Sequence, residues 1–404
     1  MAQTSNKQWK TSRSFSVPDS ANCKEFSSSH FTFILMKFSI SLGDFQKAMQ
    51  RVLPAIPPRS TLPVLEHVFC TATATGLELI ASDQEMTIST STACMVEGQG
   101  TVLIPARKLN DLLRSLGQEG SVLVEVSTNL DIKFSTRGGT FTMKGMDSAD
   151  YPQQPVFPDG ENARLSSADA MKIANRTMFA VSDDEYRPAM TGVLFQFRGN
   201  HVVGVSTDSY RLARVIIRGG GFPDDLDVII PSRAMEVLRK VDSDVEMSVT
   251  RTHARFAMHD TTVITRIIDE RFPPYENVIP VDNDKIAVVN QRDLVGVIKR
   301  VALFTSSTSR QIKITLMPDR IHVHGEDDES GSNADESTVC EFTGAESFEI
   351  GFNHRYLEEA LQQLSGDDSG MVRLSFSSPN RAVLIEPTGE ATDILILVMP
   401  VRLS

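Results

Sequence analysis

The chain has 404 residues, 41 % of them hydrophobic and 23 % charged, with a formal net charge of −12 and a pI near 5.2. That length can bury several cores, and the absence of any run of 18 apolar residues excludes a membrane-spanning helix. Cys23, Cys70, Cys94 and Cys340 are scattered without C-x-x-C spacing, which speaks against a thiolate metal site and for buried thiols in a reducing, cytoplasmic setting.

Residues 1–35 are Ser-rich and have no counterpart elsewhere in the chain, so they are expected to be a disordered extension ahead of a start at Met36. Ser41 then opens a predicted helix over 42–53. Asp44 stands in its first turn, Phe45, Ala48, Met49 and Val52 share one face, and Lys47 and Arg51 sit about 130° away. Ile104-Pro105 opens a second helix, 105–116, with Pro expected at its first position and Arg107, Lys108 and Arg114 on its surface. The period then changes to two: Val122, Val124 and Val126, next Leu130, Ile132 and Phe134, then Phe141 and Met143, predict antiparallel strands with one buried face.

The same order returns twice. Ser166 and Asp169 open a helix over 166–178 with Lys172 and Arg176, and Ile230-Pro231 opens one over 231–241 with Arg233, Arg239 and Lys240. Val245, Met247 and Val249 follow as a strand. Asn290 and Asp293 open the third copy over 291–303, with Arg292, Lys299 and Arg300; a helix over 353–364 and strands through Val372, Leu374, Phe376, Val383 and Ile385 complete it. Asp44, Asp169 and Asp293 lie 125 and 124 residues apart. Units of that size are tandem domains and not solenoid repeats. Two helices among many short strands make each one α+β. Each copy is read as ending in an apolar exit: Tyr151-Pro152, Phe272-Pro273-Pro274-Tyr275, and Leu397-Val398-Met399-Pro400.

An acidic chain is an unpromising nucleic-acid binder, but the distribution of charge reverses that reading. Five of the six helices carry thirteen basic against five acidic side chains, so the rest of the chain holds the negative excess. One lining attracts polyanions while the bulk repels them. The alternative, charged helix faces kept for solubility, requires five helices to favour one sign by chance. His322 and His324 followed by Glu326 lack further ligands, and neither a phosphate loop, a nucleophile elbow nor a metalloprotease motif occurs; no metal, cofactor or catalytic residue is expected.

From Met36 onward the chain resembles the bacterial DNA polymerase III β subunit, the sliding-clamp family. The resemblance is carried, in order, by Met36-Lys-Phe-Ser-Ile40, Arg59-Ser-Thr-Leu-Pro63, Ser206-Thr-Asp-Ser-Tyr-Arg-Leu-Ala213, Arg271-Phe-Pro-Pro-Tyr275 and Val398-Met-Pro-Val-Arg-Leu403. It implies the DNA-clamp fold, α+β, with three similar domains over 36–156, 163–280 and 281–404, and a head-to-tail homodimeric ring with helices lining the hole. It also implies a non-catalytic processivity factor. The expected partners are double-stranded DNA without sequence preference, the replicative polymerase α subunit, the clamp loader, and other clamp-motif proteins such as repair polymerases, mismatch repair proteins and ligase, with no membrane involved.

Under that resemblance DNA contacts fall to Arg59 and to Lys47, Arg51, Arg107, Lys172, Arg176, Arg233, Lys240, Lys299 and Arg300. In the loop of residues 184–189 the family pattern is not kept, and only Tyr186 and Arg187 remain suited to touch DNA. A partner-peptide groove maps onto Met190, Thr207, Ser209, Tyr210, Arg211, Leu212, Pro280, Val398, Met399, Pro400, Val401, Arg402 and Leu403. Its Met-rich rim is adaptable; the plain alternative is a last strand completing a core. Ser209 stands where glycine is common, and Ser404 extends the usual terminal leucine. The subunit contact is expected at Phe141, Met143, Leu303 and Phe304, with Glu326, Asp327, Asp328 and Glu329 either facing Arg107, Lys108 or Arg137 across the joint or forming a solvated loop over 325–337. Two rival functions stay open: a monomeric peptide adaptor, and an enzyme acting on nucleic acid.

Overall fold

The computed structural model describes residues 34–153, 157, 162–219, 225–344, 346–364, 370–389 and 393–403. The expected extension lies outside them except at its end, where Ile34 and Leu35 already belong to strand Ile34–Ser41. Regular structure therefore begins two residues before Met36. Ser404 also lies outside the described residues.

Among the described residues six α-helices follow in order: α1 (Leu42–Val52), α2 (Ala106–Leu116), α3 (Ser167–Thr177), α4 (Ser232–Leu238), α5 (Gln291–Ala302) and α6 (His354–Gln362). The odd-numbered helices start at the predicted caps. Ser41 accepts from the Asp44 N–H, Ser166 from that of Asp169, and Asn290 from those of Arg292 and Asp293, which satisfies donors that a helix start leaves open. Pro105 and Pro231 are caps rather than first helical residues, each the last residue of the preceding strand and with no side-chain bond. α4 stops at Leu238, short of the expected Val241, because Arg239 and Lys240 turn back onto the carbonyls of Met235 and Val237.

In each domain the two helices pack on each other, and the first covers a strand hairpin. Their apolar faces, Phe45, Ala48 and Met49 in α1 and Leu294, Val297 and Ile298 in α5, lie in one main core with strand residues such as Phe38, Phe134, Phe256, Phe352 and Phe376. Among the described residues the strands form three antiparallel sheets of five, eight and twelve strands, and the two larger ones run across domain boundaries. Strand Thr261–Arg266 of the second domain pairs with Met86–Thr92 of the first, Val263 opposite Ile88. Strand Ile394–Val398 of the third pairs with Arg211–Arg218 of the second, Ile396 opposite Ala213. These two seams use equivalent strands of the repeat, so each domain joins the next by one rule.

The repeat also extends further than the sequence showed. Just past the last strand of each copy the chain makes one isolated bridge to the strand ahead of the second helix: Met146 to Leu103, Ile268 to Ile229, and Val401 to Gly351. The exits therefore begin at Met146, Ile268 and Val401, whereas Leu397 and Val398 still belong to a strand. Tyr151 and Tyr275 fix the first two exits, tilted on Phe69 and hydrogen-bonded to Gln196 at 2.7 Å respectively. Burial pushes the Tyr275 hydroxyl up to about 12, so it stays a donor at neutral pH.

Candidate partner groove and cationic helix face

The groove residues meet at the second seam. Strand Ile394–Val398 is buried on both faces: Ile396 and Val398 enter the main core, while Leu395 and Leu397 join Leu194, Val205, Leu212, Phe272, Tyr275 and Leu384 in a second, smaller cluster. The last strand thus completes a core, and the groove candidates lie at its end. Beyond it Met399 donates its N–H to the Tyr210 carbonyl at 2.8 Å, and Val401 to that of Gly351 at 2.9 Å. Glycine at 351 lets the tail cross, because a Cβ there would come within 2.7 Å of the Val401 carbonyl oxygen and 2.8 Å of the Leu403 side chain. Met190, Pro280, Pro400, Val401 and Leu403 are half-buried, Ser209, Tyr210, Met399 and Arg402 are exposed, and Thr207 is buried.

Arg211 holds this surface together from beneath. It is buried, its Nε donates to Asp208 at 3.0 Å, and its terminal nitrogen donates to the Glu359 carboxylate. Its guanidinium lies over the rings of Tyr356, 4.7 Å to the centroid, and Phe179, 5.3 Å. Tyr210 stacks on Tyr356 with centroids 5.9 Å apart. Burial raises the Glu359 pKa, but hydrogen bonds from Arg211 and Arg355 outweigh it and hold the carboxyl below its ordinary value. The acid-rich sixth helix, an exception in the charge pattern, is thus a partner for second-domain arginine and, through Glu358, for Lys299 at 3.6 Å.

The turn before Arg211 explains the departure at Ser209. Asp208 accepts from the N–H groups of Tyr210 and Arg211, both at 2.9 Å, which forces Ser209 to φ +79°, a conformation that favours glycine. Ser209 in turn accepts from Arg187 at 2.8 Å and lies 3.6 Å from the Met190 sulfur. Arg187, expected among the DNA contacts, therefore sits at the groove, and its ion pair with Asp184 holds that carboxyl below the usual range. Tyr186 beside it is almost fully exposed.

The cationic residues gather where helices of neighbouring domains meet. At the first seam a cleft of about 520 Å³ is lined by Lys47, Arg51 and Lys240 together with Glu236, Asp242 and Asp260. At the second a cleft of about 500 Å³ is lined by Lys172, Arg176 and Arg239 with Gln362 and Gln363, and no carboxylate. Several expected DNA contacts also serve the fold: Arg51 pairs with Asp242 at 3.3 Å and with Asp260, Arg233 with Asp83, and Arg300 with Glu336 at 2.6 Å. Lys47, Arg59, Arg107 and Lys240 are exposed, and among the described residues none of the four has an ion pair. Arg59 occupies a loop pinned by a bond from the Ser60 N–H to Glu66 at 3.1 Å.

Three of the four expected subunit-contact residues are open to solvent: Leu303 is 80 %, Phe304 42 % and Phe141 38 % exposed. Met143, at 5 %, points into its own core and offers a partner only backbone. The acidic stretch is not a loop over 325–337. Strands Arg320–Asp327 and Ser332–Phe342 form a long hairpin whose turn carries Asp328 and Glu329. On its face His322 and His324 both contact Asp335, at 3.1 and 2.9 Å. Among the described residues no group of three or more His, Cys, Asp or Glu side chains could hold a metal ion, and no helix is long and apolar enough to cross a membrane.

Sequence reasoning missed two further series. Asp83, Asp208 and Asp327 occupy one turn position, each accepting backbone N–H groups two or three residues on. Arg107, Arg233 and Arg355 each stand second in the second helix of a domain. Aligning the Ile104-Pro105, Ile230-Pro231 and Phe352-Asn353 openings would have exposed the arginines.

Three family descriptions match in tandem: DNA polymerase III beta subunit N-terminal domain over 36–155, central domain over 164–274 and C-terminal domain over 276–402. The beta sliding clamp of Synechococcus elongatus is 28 % identical over 382 residues, 91 % of this chain and all of the relative, and that of Bacillus subtilis is 26 % identical over 385. Among solved structures, the griselimycin-bound DnaN sliding clamp of Pseudomonas aeruginosa has a TM-score of 0.84 at 26 % identity, covering 91 % of this chain and 100 % of its own. The Bacillus subtilis clamp has the same TM-score at 25 % identity, with the same coverage.

Proposed function

The chain belongs to the DNA polymerase III beta subunit family, and from that premise we propose that it is a DNA sliding clamp: two copies close head to tail around duplex DNA and tether the replicative polymerase. One observation carries the ring. The two seams use up two of three equivalent edge pairs; among the described residues strand Thr140–Lys144 of the first domain and residues 332–339 of the third are each paired on one side only, which leaves one edge of each open. Two complementary edges at opposite ends of one chain join copies head to tail, and such a contact closes when its rotation closes. Domains 36–156, 163–280 and 281–404, present twice in two copies, supply the six similar domains of this ring.

Function follows from topology. DNA threaded through the hole cannot escape sideways, so contacts to phosphate need only be weak and alike at every position, which permits sliding. Arg59, Lys47, Arg107, Lys172, Arg176, Lys240 and the helix arginines supply them. The seam surface around Met190, Tyr210, Leu212 and Met399 takes the anchoring peptides of polymerase, clamp loader, repair polymerases, mismatch repair proteins and ligase. Met and Tyr side chains adapt to several ligands there, above a buried Arg211 held by Asp208 and Glu359. The protein does no chemistry of its own and works in the cytoplasm.

The test is retention on circular DNA. Protein loaded by a clamp loader onto nicked plasmid should stay bound through gel filtration and be lost once the plasmid is cut. Equal retention on both forms would replace the ring by ordinary affinity, and a strict monomer with intact peptide binding would leave an adaptor.

A further inference from the structure

We propose that Arg214 is a specificity-determining residue of the partner groove, binding a carboxylate that flanks the apolar anchor of an incoming peptide. This rests on the groove reading given above and adds the class of side chain that such a peptide carries.

Arg214 lies on strand Arg211–Arg218, on the same face as the groove residue Leu212 and roughly 6.5 Å further along it. Val215 and Ile217 point the other way, into the main core, where the strand packs on α3. Arg214 therefore belongs to the sheet face turned away from the cationic helices, where phosphate would gather. Across the ladder it stands between Val205 and Leu395, with Leu194 and Ile229 beyond Val205. All four belong with Leu212 and Leu397 to the smaller apolar cluster. One cation interrupts an apolar row.

Among the described residues no group answers that charge. Arg214 is half-buried, its Nε is shut off from water without an acceptor, and its guanidinium makes no hydrogen bond or ion pair. Carboxylates of the same region are committed elsewhere: Asp227 to Arg198 at 2.6 Å, Asp393 to Arg218 at 3.4 Å, and Asp208 to Arg211 at 3.0 Å. Tyr275 lies close enough for Arg214 to oppose the rise that burial imposes on its hydroxyl, but that hydroxyl is given to Gln196 at 2.7 Å. A buried N–H without an acceptor costs stability, and an apolar side chain of similar length would not incur that cost.

The repeat shows that the fold does not require a charge at this position. Its equivalents are Ser89, between Ile80 and Thr262 in the first domain, and Asp335, opposite His324 in the third. Ser89 is neutral, and Asp335 is met by His322 at 3.1 Å and His324 at 2.9 Å. Of the three, only Arg214 is a charge without a counter-charge among the described residues. The missing partner is then an anion from outside the chain, and a carboxylate matches the planar guanidinium edge with two parallel bonds. Leu212, two residues back on the same face, sets that carboxylate beside the apolar anchor of a bound peptide.

Fluorescence anisotropy with the full chain tests this. Ten-residue peptides tiling the replicative polymerase α subunit identify a binding segment, which is then made with Asp and with Asn at each position in turn. At a position next to the apolar anchor, Asp should bind about tenfold tighter than Asn to the unsubstituted chain and equally to R214S, while R214K keeps part of the preference. Arg214→Met should lose the preference yet unfold in urea at the same or a higher midpoint. An Asp preference that survives R214S, or none at any position, overturns the proposal and leaves the groove standing. A lowered midpoint for R214M also overturns it, because the charge then serves the fold. If no tiled segment binds, the groove itself is removed and this role of Arg214 with it.

Discussion

At the scale of single residues the groove depends on two unusual positions. Ser209 is held at φ +79° because Asp208 ties down the two N–H groups that follow it. Relieving that strain outweighs the loss of its exposed bonds to Arg187 and Met190, so Ser209→Gly should stabilise the chain by ~0.5–1 kcal/mol, read by urea unfolding. Arg211 matters in the opposite sense: it is a buried cation whose charge is met by Asp208 and Glu359. Glu359→Gln leaves it half-compensated and should cost ~1–3 kcal/mol. The pH dependence follows from the depressed Glu359 pKa. The stabilisation is complete above the carboxyl's ordinary value of 4.5 and is lost as pH falls through the lower, folded-state value. Melting temperature should therefore fall more steeply with acid below about pH 5 in the natural chain than in the Gln variant. Equal slopes would remove Glu359 from the frame of the groove.

At the scale of elements, the features written locally were legible and the non-local ones were not. Helix starts at Ser41, Ser166 and Asn290 could be read because a cap, an acidic first turn and an apolar face all fall within twelve residues. Strand alternation showed Phe134 and Leu374 as core for the same reason. Nothing within twelve residues of Thr261 announces that its strand adds to Met86–Thr92, since that pairing spans about 170 residues and is decided by edge shape and burial. Ion pairs hid likewise: Arg51 and Arg233 look like exposed helix cations until the neighbouring domain brings Asp260 and Asp83. Phe141 and Met143 share one face of strand Thr140–Lys144 as alternation predicts, yet only Met143 is buried, because how far the core extends along a strand is set by its neighbours and not by its period. The proposed groove rests on resemblance, since the apolar run up to Val398 also fits a closing strand, which it forms. The caps themselves are testable. Among the described helix caps Asn290 alone accepts two N–H groups, so Asn290→Ala should cost ~1 kcal/mol by thermal or urea unfolding, and a neutral result would place the determinant of α5 in its packing.

At the scale of the whole molecule, charge has to serve two opposed ends. A net charge of −12 disfavours DNA over most of the surface, whereas the second-seam cleft holds Lys172, Arg176 and Arg239 with no carboxylate and the first-seam cleft balances its cations with Glu236, Asp242 and Asp260. Much of that positive charge is already spoken for, because Arg51, Arg233, Lys299 and Arg300 are paired within the chain. On the proposed function, the remaining attraction falls to exposed cations such as Lys47, Arg59, Arg107 and Lys240, each holding a phosphate weakly. Direct affinity for linear DNA should be low and fall with salt at a slope of roughly −0.9 per phosphate contact. Replacing Lys47 and Lys240 by Ala should reduce that slope by about 2. The same two substitutions should leave the lifetime of a loaded ring on circular DNA unchanged at 200 mM salt, since a closed ring is held by its joints and not by phosphate contacts. Single-molecule residence times on circular and end-blocked DNA decide the matter. If the double variant dissociates as steeply with salt from circles as from linear fragments, retention is electrostatic and the helix cations are the tether. If residence is unaffected, those cations set the friction of sliding, and holding is left to the seams.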